Sequence, residues 1–483
     1  MMKKVFISLL LVALFIAFAS CDSHEQPVET EKESTVEESM GKESEEALTD
    51  PLPVQPELSE AFETVGLYVW DSNPSQFAFW KKTGINTLQF CDRGWWYNAK
   101  DGSLDSYLTN MASGVRQAKS SGFKVYVILF SNIEQFEGPG STEPTGIGVK
   151  FHPDDAEKWN ERLEYLKKTV SRLKMADGFT FFAGDPGGIP NSLGEGSVEN
   201  YIKMAIDVKN MVAETAPDAE FHINPWAISM FQTPNVSAET PQFWQRETEN
   251  SKIILGWDGL IGKDAGIELP CHDYYRPLAL RLYAKYGLVP EQKYPQNDDM
   301  DILKSRGTEQ IWAWPYFLLD EADDGDNAGD RRTDLPQIDT RYIFRYLNDV
   351  RELGFNGVIG SWSYAGYQNK CLNTYAFARM AKDNTVTPEM VITEFSELIE
   401  TEQTAKAFAD ILRFVENDCN FEKKLPKSER IEPLPTSFAD ANEARKALAS
   451  VNAVDNPAIS LPISPKEYLS KIEERLKLMI NQG

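Results

Sequence analysis

The chain has 483 residues, a formal net charge of −25 and a pI near 4.7. Such an acidic balance speaks against nucleic acid as a partner, because phosphate binding needs clustered Lys and Arg. The five cysteines form no CxxC pair, so neither a zinc site nor a small disulfide scaffold is indicated, and no metal or cofactor is expected.

Residues 1–20 read as a signal peptide. Lys3 and Lys4 supply the positive start, Val5 to Phe18 the apolar run, and the small residues Ala19 and Ser20 precede Cys21. The run is shorter than the roughly 20 residues a helix needs to cross a bilayer. Phe18-Ala19-Ser20-Cys21 resembles the lipobox of bacterial lipoproteins, which implies lipidation of Cys21, a membrane anchor there and a place in the cell envelope, at the outer membrane or cell surface. An ordinary cleaved signal with Cys21 incidental is the competing reading. Residues 21–62 follow as an acidic tether: 13 acidic residues against two lysines lie between Asp22 and Glu60, too few of them apolar neighbours to build a core.

Residues 63–385 alternate short β-branched and aromatic runs with helical patterns, which predicts a parallel sheet with crossover helices. Eight strands are expected, at 64–70, 86–91, 124–130, 178–184, 220–225, 252–257, 310–315 and 356–362, enough to close a (β/α)8 TIM barrel. An open doubly wound sheet is the alternative. Amphipathic stretches at 104–120, 156–173, 198–212 and 340–353 supply crossover helices. Residues 386–483 read as a C-terminal helical extension, opened by Thr387-Pro388-Glu389 with Pro in the first turn.

In such barrels chemistry sits at the C-terminal ends of the strands. Eight of the eleven tryptophans fall at or near expected strand ends. Flat indole faces suit the C–H surfaces of pyranose rings, and polar groups suit their hydroxyls. The residues expected to bind carbohydrate are Trp70, Asp92, Arg93, Trp95, Trp96, His222, Asn224, Trp226, Trp257, Trp314, Trp362 and Tyr364. Asp185, between Gly184 and Pro186-Gly187-Gly188, is the first candidate for a catalytic carboxyl, with a structural loop cap as its competing role. Glycosidic hydrolysis takes two carboxyls, and Asp258, Asp320 and Glu321 are the available partners. His152, His222 and His272 show no HxH or HExxH spacing, and no phosphate loop or GxSxG elbow occurs.

The segment Asn373-Thr374-Tyr375-Ala376-Phe377-Ala378-Arg379-Met380-Ala381-Lys382-Asp383, with Thr387-Pro388-Glu389 and Glu394-Phe395, resembles the stretch that closes the barrel in α-glucuronidases and related glycoside hydrolases. It departs at Lys382, where those families usually carry an aromatic residue. The resemblance implies a glycoside hydrolase with Asp185 as acid and Asp258 or Glu321 as base. A non-catalytic glycan-binding lipoprotein on the same barrel is the alternative function.

Overall fold

A computed structural model of the chain describes residues 61–69, 74–92, 102–130, 153–182, 197–224, 264–269, 297–315, 335–336, 338–361, 371–400, 402–418, 432–451 and 461–482. Eight strands run β1 (Thr64–Val69), β2 (Thr87–Cys91), β3 (Lys124–Phe130), β4 (Gly178–Phe182), β5 (Glu220–Asn224), β6 (Gly266–Leu269), β7 (Ile311–Ala313) and β8 (Gly357–Ser361). All pair in parallel in sequence order, and β8 returns to β1 to close the barrel. Between them lie α1 (Pro74–Thr83), α2 (Ser103–Ser120), α3 (Ala156–Arg172), α4 (Ser197–Thr215), α5 (Asn297–Ser305) and α6 (Thr340–Leu353), and α7 (Cys371–Lys382) follows β8. The fold is a (β/α)8 TIM barrel.

The strands are buried on both faces, as a helix-covered parallel sheet requires. Alternation along each strand divides the two faces by chemistry. Outward positions such as Val65, Leu67, Leu88, Val127, Phe179, Phe181, Ile223 and Ile267 are apolar and join one core with Phe79, Trp80, Val115, Leu166, Val208, Ile343 and Phe377 of the surrounding helices. Inward positions are mostly aromatic, polar or glycine, with Ile128 and Ile359 among them. Where α6 gives way to β8, Gly354 takes φ 85°, and Phe355 N–H donates to Val350 O at 3.2 Å, closing the helix as only a residue tolerant of left-handed backbone allows.

Inside, side chains stack in layers drawn from alternate strands. The lowest ring-bearing layer holds Tyr126, His222 and Trp312, with centroids 5.1 Å, 4.9 Å and 4.2 Å apart for the Tyr–His, Tyr–Trp and His–Trp pairs. Each of these rings is paired in register with a glycine on the next strand: Tyr126 with Gly178, His222 with Gly266, Trp312 with Gly357. A Cβ on Gly266 would lie 2.6 Å from His222 Nε2, and Cβ atoms on the other two would run into Tyr126 and Trp312. Beneath, Glu220 accepts from the Tyr126 hydroxyl and, at 2.8 Å, from Gln310 Nε2, while Gln310 Oε1 meets His222 Nε2. Burial first, and then the Glu220 carboxylate, push the Tyr126 phenol far above its ordinary value.

The sixth place in the barrel corrects the sequence reading. It is filled by Gly266–Leu269 rather than by residues 252–257, which lie outside the described residues. This strand has only four residues, one of them glycine and one an inward carboxylate, so it lacks the long β-branched run that marks a strand in sequence. Asp258 therefore precedes the sixth strand instead of following it.

Beyond α7, the chain forms α8 (Pro388–Ile399), α9 (Glu402–Asn417), α10 (Ala441–Leu448) and α11 (Pro465–Gln482). Thr387 caps α8 by accepting from Met390 N–H at 3.3 Å, with Pro388 in the first turn. Glu416 of α9 reaches the start of α6, accepting from Thr340 Oγ1 at 2.6 Å, Arg341 N–H at 2.8 Å and Arg341 Nε at 3.3 Å. Among the described residues no helix is long and apolar enough to cross a membrane.

Candidate active site at the C-terminal mouth

The two ends of the barrel differ in how much chain they carry. Helix-to-strand connections are short: residues 84–86, 121–123, 173–177, 216–219, 306–310 and 354–356 suffice. At the opposite end, residues 131–155, 183–196, 270–296 and 314–339 lie between β3, β4, β6 and β7 and the next described helices, while 70–73 and 92–102 follow β1 and β2. Long connections held on a rigid scaffold are where barrels place binding and chemistry.

Below this end lies a buried polar layer. Glu268 of β6 accepts from Gln89 Nε2 of β2 with both oxygens at 2.8 Å, from Thr180 Oγ1 of β4 at 2.7 Å and from Asn224 Nδ2 of β5 at 3.3 Å. His222 Nδ1 lies 3.4 Å from the same carboxyl. All five side chains are buried. A carboxylate withdrawn from water is costly unless surrounded by donors, and here strands on three sides supply them. One level higher, the Trp314 indole N–H donates to Gln89 Oε1 at 2.8 Å. Its ring meets Tyr68 edge-on at 5.3 Å and Phe182 at 5.9 Å, and Phe182 meets Phe130 at 5.0 Å.

A second buried group sits at the rim of β2 and β3. The Tyr165 hydroxyl donates to Asp92 Oδ2 at 3.2 Å, the Arg162 guanidinium lies 4.3 Å over the Tyr165 ring, and Arg162 Nη2 donates to Phe130 O. Burial, reinforced by Asp92, raises the Tyr165 phenol well above its ordinary value; burial lowers the Arg162 guanidinium, against the opposing pull of Tyr165 and Asp92.

Of the residues singled out in the sequence, Asp92 lies at the rim, Asn224 and Trp314 line the upper interior, and His222 sits deeper, in the ring layer beside Trp312. Trp312 thus lies well below the strand ends. Asp185, Asp258, Asp320, Glu321, Trp70, Arg93, Trp95, Trp96, Trp226, Trp257, Trp362, Tyr364 and Cys21 lie outside the described residues. Sequence reasoning passed over Gln89, Thr180 and Glu268. For Gln89 and Thr180 a signal was present, as polar residues within the largely apolar strands TLQFC and GFTFF; Glu268 had none, since GIEL does not read as a strand by itself. The segment that resembles the α-glucuronidase barrel closure forms a structural clasp. Glu394 accepts from the Tyr375 hydroxyl at 3.0 Å and from Arg379 Nε and Nη2 at 3.0 Å and 3.1 Å, and Asn373 Oδ1 accepts from Asp339 N–H at 2.9 Å.

The sequence matches no protein-family model, and no curated protein is found to be similar to it. Among solved structures, the chain is similar to a GH30 endoxylanase from Clostridium papyrosolvens C71, at 12% identity over 68% of this chain and 73% of that one, with a TM-score of 0.40. It is also similar to an O-GlcNAc hydrolase of Thermobaculum terrenum, at 11% identity over 87% and 74% of the two chains with a TM-score of 0.44. A broad-specificity GH5-4 endoglucanase from an uncultured bacterium gives 9% identity, 68% and 98% coverage and a TM-score of 0.41. The barrel is established by its own strand order, and no activity is carried over from these likenesses.

Proposed function

We propose that the chain is a glycoside hydrolase working at the C-terminal mouth of the barrel, with Asp185 as general acid and Asp258, Asp320 or Glu321 as the second carboxyl. The observation that carries this reading is the asymmetry of the connections: Asp185, Asp320 and Glu321 belong to the long stretches after β4 and β7, and Asp258 to residues 225–265 between β5 and β6. In a parallel barrel the stretches after β4 and β7 leave from the same end, which supports pairing Asp185 with Asp320 or Glu321; Asp258, which precedes β6, lacks that support. Trp70 and Trp362 stand one residue past β1 and β8, which are hydrogen-bonded neighbours. Two carboxyls and aromatic faces at one mouth are what protonation of a glycosidic oxygen and activation of a nucleophile require.

The test is hydrolysis of a panel of aryl glycosides and oligosaccharides by the full chain beside its Asp185→Asn variant. Hydrolysis lost by a factor of about a hundred or more in the variant supports the assignment, since general acid catalysis contributes on that order. Equal rates overturn it. Glycan binding without turnover in either protein points to a binding lipoprotein instead. The reading includes a lipid anchor at Cys21, tested by mass spectrometry of the mature N-terminus.

A further inference from the structure

We propose that Glu268 is a positioning residue for the barrel mouth: by dictating which way the Gln89 amide faces, it holds the Trp314 indole in place as part of the floor beneath the bound glycan. The role as a glycan floor rests on the glycoside hydrolase reading; the relay itself does not.

An ionised carboxyl only accepts. Both oxygens of Glu268 lie 2.8 Å from one atom of the Gln89 amide, so that atom is the donor, Nε2. The other end of the same amide, Oε1, is then committed to the opposite side, where the Trp314 indole N–H, a donor only, meets it at 2.8 Å. Turning the amide over would set NH2 against the indole N–H and carbonyl oxygen against carboxylate, leaving two mismatched pairs in a buried layer. Each such mismatch costs about as much as an unsatisfied buried polar group. The orientation is therefore set from Glu268 and passes across the barrel from β6 through β2 to Trp314, the residue that follows β7.

The same carboxyl receives Asn224 Nδ2, at the last residue of β5, and Thr180 Oγ1. Trp314 in turn sets the ring stack at the strand ends, edge-on to Tyr68 and tilted against Phe182, which meets Phe130. Donors from three strands converging on one carboxyl favour one arrangement, whereas an apolar layer of equal volume would leave the indole free to choose among rotamers. Glu268 does not reach the mouth itself, since Asn224 and Trp314 lie above it. Its effect on a sugar would thus pass through those side chains.

The experiment uses the full chain and its Glu268→Gln variant. Ultraviolet resonance Raman spectroscopy reads the strength of the indole N–H hydrogen bond, and subtraction of the matching Trp314→Phe protein isolates the Trp314 contribution. In Glu268→Gln the side chain can donate as well as accept, so the Gln89 amide loses its imposed direction. The Trp314 band should move toward a weakly hydrogen-bonded position, while the Trp159 indole bonded to Asp207 at 2.8 Å keeps its band as internal reference. For any aryl glycoside the chain hydrolyses, KM should rise about tenfold with kcat within about twofold, the split expected when a binding platform is loosened. An unchanged Trp314 band overturns the proposal. Should Glu268→Gln fail to fold, Gln89→Leu removes the middle of the relay, and an unchanged band there overturns it equally. A shifted band with an unchanged KM overturns the role as glycan floor. A shifted band in a chain that hydrolyses no glycoside upholds the relay and defeats the glycosidase reading alone.

Discussion

Replacing Gly266 by alanine isolates the packing rule of the barrel floor. The added Cβ would lie 2.6 Å, 2.7 Å and 2.8 Å from Nε2, Cε1 and Cδ2 of His222. The ring would have to retreat by about 0.9 Å to reach the roughly 3.5 Å of ordinary contact. It has nowhere to go: Trp312 stands 4.2 Å away, Tyr126 5.1 Å away, and Nε2 is tied to Gln310. Overpacking of a close-packed interior costs about 1–3 kcal/mol, and a wedged ring on a four-residue strand belongs near 3. Loss of glycine freedom in the unfolded chain returns about 0.5–1 kcal/mol, leaving a net destabilisation of about 2 kcal/mol, roughly thirtyfold in the folding equilibrium. Urea denaturation followed by tryptophan fluorescence should show a lowered midpoint at constant slope. In a His222→Ala background the same substitution should cost under about 0.5 kcal/mol, because the obstructing ring is gone. Equal costs in the two backgrounds would refute the idea that the glycine exists to admit the imidazole.

Other expectations concern the extension and the acids. Glu416→Ala removes the buried carboxyl facing the Arg341 guanidinium, which keeps its bonds to the backbone carbonyls of residues 416 and 432, and should destabilise the fold by about 3 kcal/mol, read by the same denaturation, whereas a loss under about 1 kcal/mol would deny that α9 secures the start of α6. Tyr375 is pushed up to about 12, by burial first and by Glu394 next. Its folded-state value lies above the unfolded one, so the stability it contributes is complete below pH 10 and lost as pH rises through about 12; an alkaline melt of Tyr375→Phe should lack that part of the decline. With the sixth strand at Gly266–Leu269, Asp258 precedes a strand whereas Asp320 and Glu321 follow β7. Kinetics of Asp258→Asn, Asp320→Asn and Glu321→Gln on a hydrolysed glycoside should therefore place the largest kcat loss at Asp320 or Glu321, and the largest loss at Asp258 would assign it as the partner of Asp185 instead.

The barrel was legible because its outward faces are written in local chemistry. Runs such as KVYVILF and GFTFF, set between amphipathic helices of regular spacing, admit few other arrangements. β6 was not legible: Gly266-Ile267-Glu268-Leu269 reads as a loop until its neighbours are known, since the glycine answers to His222 and the glutamate to three other strands. That is a tertiary requirement with no trace in local periodicity. The same holds for His222. It looked like a site residue from its place near a strand end, yet alternation and register carry it into the floor beside Trp312. The family-like segment 373–394 is a further instance, since Tyr375, Arg379 and Glu394 join two helices rather than line the mouth.

The plugged interior has a directional consequence. With indole, imidazole and phenol rings wedged against glycines and a buried carboxyl layer on top of them, the described residues fill the lower interior of the barrel. A small molecule arriving at the C-terminal ends of the strands would therefore meet a solid floor and not the opening of a channel.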